Sequence, residues 1–272
     1  MTRIHHRQLP KSDPPLREAR VLGARLTYTD EGDSDETILF AVHGVPGSVR
    51  DFRYLGPPLL EFARFVRVDL PGSGGSEPRR DALRSLEARA RTVLGLADEL
   101  KVPRFGVIGH SMGGGTALVT AAMAPERISH LVLLAPMGLR PHRALSRSRA
   151  SFLRIAFMLK VPGLRLLLLP RVRSHYRKRR FPRADEMTVD EYATHFESFT
   201  AADYPLLNRA ARKPLPGKTL VAFADDDHLV EPQIPTELAA AIPGARTLRF
   251  EDGGHSIQKH KAPEIARAIR EL

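Results

Sequence analysis

Short apolar runs and longer helical segments alternate along most of the chain. The runs are typical of strands, and five of them occur in the first half: ARLTYTDEG, TILFAVHG, RFVRVDLPG, RFGVIGH and ISHLVLLAP. Residues 81–100 repeat leucines every three or four positions, and residues 112–126 are rich in small side chains, so both segments predict helices. Strands that alternate with helices predict an α/β fold with a mostly parallel central sheet flanked by helices.

The alternation stops after residue 136 and resumes near residue 214. The segment between these points, residues 137–213, has helix and loop patterns but no convincing strand. The returning pattern consists of KTLVAFADDDH, IPTELAAAI, ARTLRFEDGGH and APEIARAIREL. We expect a core domain of residues 15–136 and 214–272, a helical cap of residues 137–213, and a disordered lead-in of residues 1–14. A cap over the carboxyl ends of the strands lies where such folds bind ligands.

Length and composition agree with one α/β domain that carries an insertion. The chain has 272 residues, of which 42% are hydrophobic and 27% are charged, as in ordinary globular proteins. It has no cysteine, which excludes disulfides, thiolate metal sites and cysteine catalysis. The N-terminal residues lack the apolar run of a secretory signal, and no stretch of about 18 uncharged apolar residues predicts a membrane span. We expect a cytoplasmic protein, with a peripheral position on a membrane as the alternative.

The positive charge is concentrated in the cap. The formal net charge is +11, and the segment from Arg140 to Arg183 contains 14 lysines or arginines and no acidic residue. These residues flank an apolar stretch, a mixture that suits an anionic membrane surface or a long-chain anionic substrate. A solvated basic face explains the pattern equally well. The stretch RVRSHYRKRR has one aromatic residue, which gives little support for base stacking, so nucleic acid is not an expected partner.

Ser111 is the candidate nucleophile. The sequence GHSMG, from Gly109 to Gly113, fits the pattern G-x-S-x-G between a predicted strand and a predicted helix. The flanking glycines leave room for a strained turn that exposes the serine. The competing interpretation is a phosphate-binding glycine loop, but this turn has no G-x-G-x-x-G. The GKT at residues 217–219 precedes a strand and has Arg212 where a phosphate loop needs its first glycine.

A serine nucleophile needs a base and a group that orients the base. His255 follows the last predicted strand, whereas its rival His260 lies in QKHKAPE, which predicts an exposed helix start. Asp225, Asp226 and Asp227 all follow the preceding strand, and the residues alone do not choose among them. The order serine, aspartate, histidine is the order that this architecture uses.

Backbone N–H groups are expected to bind the oxyanion that develops during acyl transfer. Met112 follows the nucleophile and supplies one N–H, and Val45 in the turn HGVPGS supplies the other. His43 and His110 are expected to pack these turns rather than transfer protons.

Together these motifs resemble the α/β-hydrolase superfamily. The resemblance covers residues 15–136 and 214–272 and is carried by HGVPGS, DLPGSGGS, GHSMGG, DDDHLVEP and GGHSI, in the family's order. It implies a helical cap between the sixth and seventh strands, Asp227 as the acid through a D-x-x-V pattern, and His255 as the base through the terminal glycine–histidine. The HGVPGS turn is similar to that of the esterase, aminopeptidase and carbon–carbon hydrolase branches.

The resemblance implies acyl transfer to water by a serine hydrolase that needs no cofactor. A serine nucleophile argues against the dehalogenase and epoxide hydrolase branches, which use aspartate. The lack of acidic residues between Arg140 and Arg183 argues against aminopeptidases that bind a free amine, and the absence of H-E-x-x-H gives no support for a metal. We expect cleavage of a carboxylic ester or related small acyl substrate. The alternatives are carbon–carbon bond or amide hydrolysis, or binding of a membrane or anionic ligand with little catalysis.

Overall fold

A central sheet of eight strands organises the molecule. The computed structural model describes residues 10–143, 149–179, 181 and 184–272. The strands are β1 (Arg17–Val21), β2 (Ala24–Glu31), β3 (Ile38–Val42), β4 (Arg64–Val68), β5 (Phe105–His110), β6 (Ile128–Leu134), β7 (Thr219–Ala224) and β8 (Arg246–Phe250). Their order across the sheet is β1-β2-β4-β3-β5-β6-β7-β8. Strands β1–β2 and β2–β4 pair antiparallel, and the other neighbours pair parallel. The predicted α/β fold is confirmed.

Helices cover both faces of the sheet. They are α1 (Gly56–Leu59), α2 (Arg80–Arg84), α3 (Leu86–Glu99), α4 (Met112–Met123), α5 (Arg149–Lys160), α6 (Pro162–Lys178), α7 (Val189–Ser198), α8 (Tyr204–Ala211), α9 (Gln233–Ala241), α10 (Ile257–His260) and α11 (Ala262–Arg270). Along β3, Phe40 packs with residues of α3 and α4, whereas Leu39 packs with α1 and α11. This alternation follows from the two-residue period of a strand. Because both faces are covered, strands such as β5 and β7 are buried along their whole length.

The sequence predicts one helix over residues 81–100, and this prediction is wrong in detail. The structure has α2 and α3, which meet at Ser85 in an extended conformation (φ −143°, ψ 127°). Ser85 Oγ accepts a hydrogen bond from Ala88 N (3.3 Å), so it caps the start of α3. The first strand, β1, was not predicted because it has charged residues at three of its five positions.

The segment between β6 and β7 is helical in the residues that the structure describes. It contains α5, α6, α7 and α8, of which α5 packs against α6 and α7, and α8 packs against α4 of the core. Tyr176 on α6 is the centre of an aromatic cluster with Phe181, Tyr192 and Phe196, at ring-centroid distances of 5.0, 4.9 and 6.1 Å. The basic residues Arg147, Arg180 and Arg183 lie outside the described residues.

The predicted lead-in of residues 1–14 lies only partly within the described residues, because residues 1–9 are outside them. Ser12 is attached to the core: its N–H donates to the Arg53 carbonyl (2.8 Å), and Arg67 Nη1 donates to the Ser12 carbonyl (3.0 Å). Within the described ranges, no helix is long and apolar enough to cross a bilayer.

Candidate active site

Ser111 occupies a strained turn between β5 and α4. Its φ of 55° and ψ of −120° lie in a region that L-residues rarely adopt. A Cβ on Gly109 would lie 2.3 Å from the Gly113 carbonyl oxygen, and one on Gly113 would lie 2.1 Å from the Val42 carbonyl oxygen. Glycine is therefore required at Gly109 for β5 to approach the first turn of α4, and at Gly113 for α4 to pack against β3. Backbone bonds from Ser111 N to Leu134 O and from Met137 N to Ser111 O, both 3.0 Å, hold the turn.

Asp227 orients His255 through a short hydrogen bond. His255 Nδ1 lies 2.7 Å from Asp227 Oδ2, and Asp227 Oδ1 accepts from the N–H groups of Leu229 (2.8 Å) and Val230 (3.0 Å). Burial alone would raise the pKa of Asp227, but the bonds from His255, Val230 and Leu229 outweigh it and hold that pKa below its ordinary value. An ionised Asp227 accepts a hydrogen bond from the Nδ1–H of His255, which leaves Nε2 as the nitrogen that can accept a proton.

The neighbouring acids and the rival histidine lie elsewhere. Asp225 forms a salt bridge with Arg249 (2.7 Å) on the exposed edge of the sheet. Asp226 accepts from the N–H of Gly254 (2.7 Å), the residue before His255, so it fixes the loop that carries the histidine. His260 is exposed on α10. Asp227 is thus the member of the aspartate run whose carboxylate contacts a histidine.

Ser111 and His255 line the same cavity. Among the described residues, no hydrogen bond joins Ser111 Oγ to His255 Nε2. Bonds of this type commonly tighten when substrate binds. The arrangement places a serine hydroxyl and an oriented imidazole at one wall of one cavity.

Val45 and Met112 line this cavity as well. Met112 is the first residue of α4, so its N–H has no partner within the helix. The helix N-terminus also favours negative charge at this end. The N–H of Met112, which has no partner within the helix, therefore lies at the residue that directly follows Ser111.

Two further histidines hold the surrounding loops. His43 Nδ1–H donates to the Gly44 carbonyl (2.6 Å), and its Nε2 accepts from the N–H of Leu70 (3.0 Å), so both ring nitrogens are engaged. His110 Nε2–H donates to the His255 carbonyl (2.8 Å) and fixes the backbone of the candidate base. Burial, helped by the neighbouring His255, lowers the pKa of His110 to about 3, so its ring is neutral.

The cavity has a volume of about 520 Å³ and is mainly apolar. The segment between β6 and β7 contributes much of its wall, including Phe152, Ile155, Leu168, Phe181, Phe196 and Phe199. That segment also contributes polar groups that the sequence did not single out: His142, Arg171, His175 and Arg179. The last three recur at four-residue spacing along one face of α6 and its C-cap residue Arg179, a signal present in the sequence. No cluster of three metal-binding side chains occurs among the described residues.

Comparisons with known proteins identify the family of the chain. A model of the alpha/beta hydrolase family matches residues 38–268. One relative is a dihydrolipoyllysine-residue acetyltransferase component of the acetoin cleaving system from Cupriavidus necator, 30% identical over 260 residues. Those residues are 91% of this chain but 66% of that protein, and the corresponding match to the Pseudomonas putida component spans 34% of its length.

Two other proteins match this chain over nearly their whole length. A 2-hydroxymuconate semialdehyde hydrolase from Pseudomonas putida is 26% identical over an alignment of 282 positions. The alignment covers 96% of this chain and 95% of that protein. Among solved structures, an enol-lactonase from Burkholderia xenovorans LB400 superposes with a TM-score of 0.73 at 24% identity, covering 94% of this chain and 98% of that one. The chain therefore belongs to the alpha/beta hydrolase family.

Proposed function

We propose that the protein is a serine hydrolase that cleaves carboxylic esters through a covalent acyl-enzyme on Ser111. The observation that carries the proposal is the His255–Asp227 hydrogen bond at the wall of the cavity that Ser111 also lines. A serine hydroxyl is a weak nucleophile until an oriented base accepts its proton. The strained turn exposes the Ser111 hydroxyl, and the Asp227 bond leaves His255 Nε2 able to accept its proton. The N-terminus of α4 favours the negative charge that develops beside Ser111.

The proposed reaction proceeds in two steps, acylation of Ser111 and hydrolysis of the acyl-enzyme. Ser111 Oγ attacks the ester carbonyl while His255 Nε2 accepts its proton, and the N–H groups of Val45 and Met112 bind the oxyanion. The bond to the leaving alcohol breaks, and His255 returns the proton to that alcohol. Water then attacks the acyl-enzyme by the same route, releases the acid and restores Ser111. Asp227 stays ionised and stabilises the positively charged ring of His255.

The cavity supports an apolar acyl group. Its volume is within the range of pockets that enclose small organic ligands, and apolar side chains, four phenylalanines among them, make up most of its lining. Burial of an acyl chain contributes about 0.8 kcal/mol per methylene. We therefore expect kcat/KM to rise with acyl length until the cavity is full.

A second candidate is hydrolysis of a carbon–carbon bond in a substrate that carries a carboxylate. The observation that favours it is the set of cationic and imidazole side chains on the cavity wall, Arg171, His175 and Arg179. Arginine pairs well with carboxylates. The relative named as a 2-hydroxymuconate semialdehyde hydrolase makes this candidate specific enough to test.

The experiment combines labelling with a substrate panel. A fluorophosphonate probe should label the wild type, and Ser111→Ala should abolish labelling and lower kcat for nitrophenyl esters by about 10⁴-fold or more. Ser129→Ala is the matched control, because Ser129 lies at the amino end of β6, at the opposite end of the sheet, and should leave both unchanged. Labelling that persists in Ser111→Ala would contradict the assignment. Faster turnover of 2-hydroxymuconate semialdehyde than of any ester from acetate to dodecanoate would favour the second candidate.

A further inference from the structure

Large exposed apolar side chains concentrate at the corner where α5 passes into α6. Among the described residues, Phe157 (67% exposed), Leu164 (39%), Leu166 (74%) and Leu167 (67%) lie within eleven positions of one another. We call these four residues the corner patch. The remaining exposed large apolar residues, Leu16, Leu22 and Met123, are separated along the core domain. Scattered apolar residues are normal on a protein surface, whereas a contiguous group indicates a surface that contacts something.

Positive charges surround the corner patch. Arg154 and Arg165 are exposed there and form no salt bridge with a described residue, whereas Lys160 pairs with Glu197 (2.7 Å). The sequence has no acidic residue between Arg140 and Arg183, so no acid within this segment offsets these charges. Exposed leucine and phenylalanine beside unpaired arginine are the combination that enters the boundary between lipid headgroups and acyl chains.

The same helix connects the corner patch with the cavity. The side chain of Leu166 on α6 is exposed. The cavity is lined at helical spacing by four other residues of α6 and by its C-cap residue: Leu168, Val172, His175, Tyr176 and Arg179. Arg171 both lines the cavity and is exposed, so the cavity reaches solvent beside it. Its Nη1 donates to the backbone carbonyl of Leu167 (2.7 Å), so the guanidinium lies over the helical turn that carries a residue of the corner patch.

We propose that the corner patch docks the protein on the surface of an anionic lipid bilayer, with the opening of the cavity next to the lipid. Phe157 and Leu166 would enter the acyl-chain boundary, which removes their apolar surface from water. Arg154 and Arg165 would contact the anionic headgroups. An apolar substrate could then enter the cavity from the lipid without crossing bulk water. Docking does not depend on the reaction proposed for Ser111.

The test is flotation of the protein with lipid vesicles, in the Ser111→Ala background so that no lipid is consumed. The vesicles contain either phosphatidylcholine with phosphatidylglycerol or phosphatidylcholine alone, each at low and high salt. We expect binding to the anionic vesicles that weakens as salt rises. The double variant Phe157→Glu/Leu166→Glu should lose at least tenfold in binding. The double variant Arg154→Gln/Arg165→Gln should lose about fivefold for each charge removed.

The matched control is Leu16→Glu/Met123→Glu, which changes exposed apolar residues outside the corner patch. It should bind vesicles as the parent does. Equal loss in this control, or absence of binding by the parent, would overturn the proposal. The proposal would also be overturned if the parent is a dimer in sedimentation velocity, binds no vesicles, and becomes a monomer in Phe157→Glu/Leu166→Glu. The corner patch would then contact a second copy of the chain. With Ser111 intact, the patch variants should hydrolyse soluble esters at the wild-type rate, so a failure of docking and a failure of the proposed reaction are told apart.

Discussion

At the scale of single residues, three consecutive aspartates differ only in what they contact. Asp225 faces Arg249, Asp226 holds the N–H of Gly254, and Asp227 contacts His255 while two backbone N–H groups fix its second oxygen. An amide at position 227 would present a donor to the imidazole and favour the wrong tautomer of His255.

We therefore predict that Asp227→Asn lowers kcat by about 10³–10⁴-fold. Asp226→Asn should have a smaller effect, because it weakens only the bond that fixes Gly254, and Asp225→Asn should be close to wild type. The measurement is steady-state hydrolysis of one nitrophenyl ester by the three variants, with circular dichroism to confirm that each is folded. A larger loss in Asp225→Asn than in Asp227→Asn would reject this ranking.

The sequence was sufficient to propose Ser111 and His255, because each follows a strand in a recognisable local pattern. It was not sufficient to choose among the aspartates, since the choice depends on how the loop after β7 meets the loop after β8. The family resemblance implied Asp227, and the contacts supply the physical reason. That Ser111, His255 and Asp227 act as a catalytic triad stays a prediction, which the labelling experiment tests for Ser111 and the three asparagine variants test for Asp227.

At the scale of elements, leucine spacing continues across Ser85 and conceals the break between α2 and α3. A hydrophobic pattern predicts which side of a segment is buried. It does not show that one residue within the segment has a non-helical backbone conformation. Ser85 is a common type of N-cap residue, and this was the local signal available in the sequence. The charged strand β1 has a similar explanation, because an edge strand does not need a continuous apolar run.

We predict that Ser85→Ala lowers the free energy of unfolding by about 1 kcal/mol, because Ala88 N loses its side-chain acceptor. Ser256→Ala is the matched control. Ser256 also precedes a helix, α10, but its side chain makes no capping hydrogen bond. Urea denaturation of the two variants and the wild type is the measurement. Equal losses in both variants would show that Ser85 is not an effective cap.

At the scale of the whole molecule, the wall of the cavity could not be predicted from the sequence. It forms only when the segment between β6 and β7 packs over the ends of the strands, and which side chains face inward depends on that packing. The same packing buries His195, a histidine within this segment. His195 of α7 stacks on Tyr176 (centroid distance 6.4 Å, interplanar angle 11°). Burial, with a smaller effect from His43, lowers the pKa of His195 from 6.5 to about 3.

A lowered pKa means that the folded protein disfavours protonated His195. The stability that this neutral ring contributes is present above pH 6.5 and is lost as the pH falls toward 3. We predict that His195→Phe reduces the drop in unfolding free energy between pH 7 and pH 5 by about 1–2 kcal/mol. The glutamine in His195→Gln also does not titrate. This variant should therefore reduce the pH-dependent decrease in unfolding free energy by the same amount, even if its stability at pH 7 differs from that of His195→Phe. Chemical denaturation at the two pH values is the measurement, and an unchanged drop in both variants would contradict the prediction.

Helix α6 has side chains that line the cavity and also has exposed leucines, and this arrangement has a consequence for the evolution of the protein. A helix turns by about 100° per residue, so one inserted or deleted residue between Leu166 and Val172 would rotate every later side chain relative to the earlier ones. The cavity wall and the outward leucines would then no longer be presented together. Substitutions can tune either surface separately, but length changes alter both at once. Among descendants of this chain, α6 should therefore vary in composition while its length stays constant.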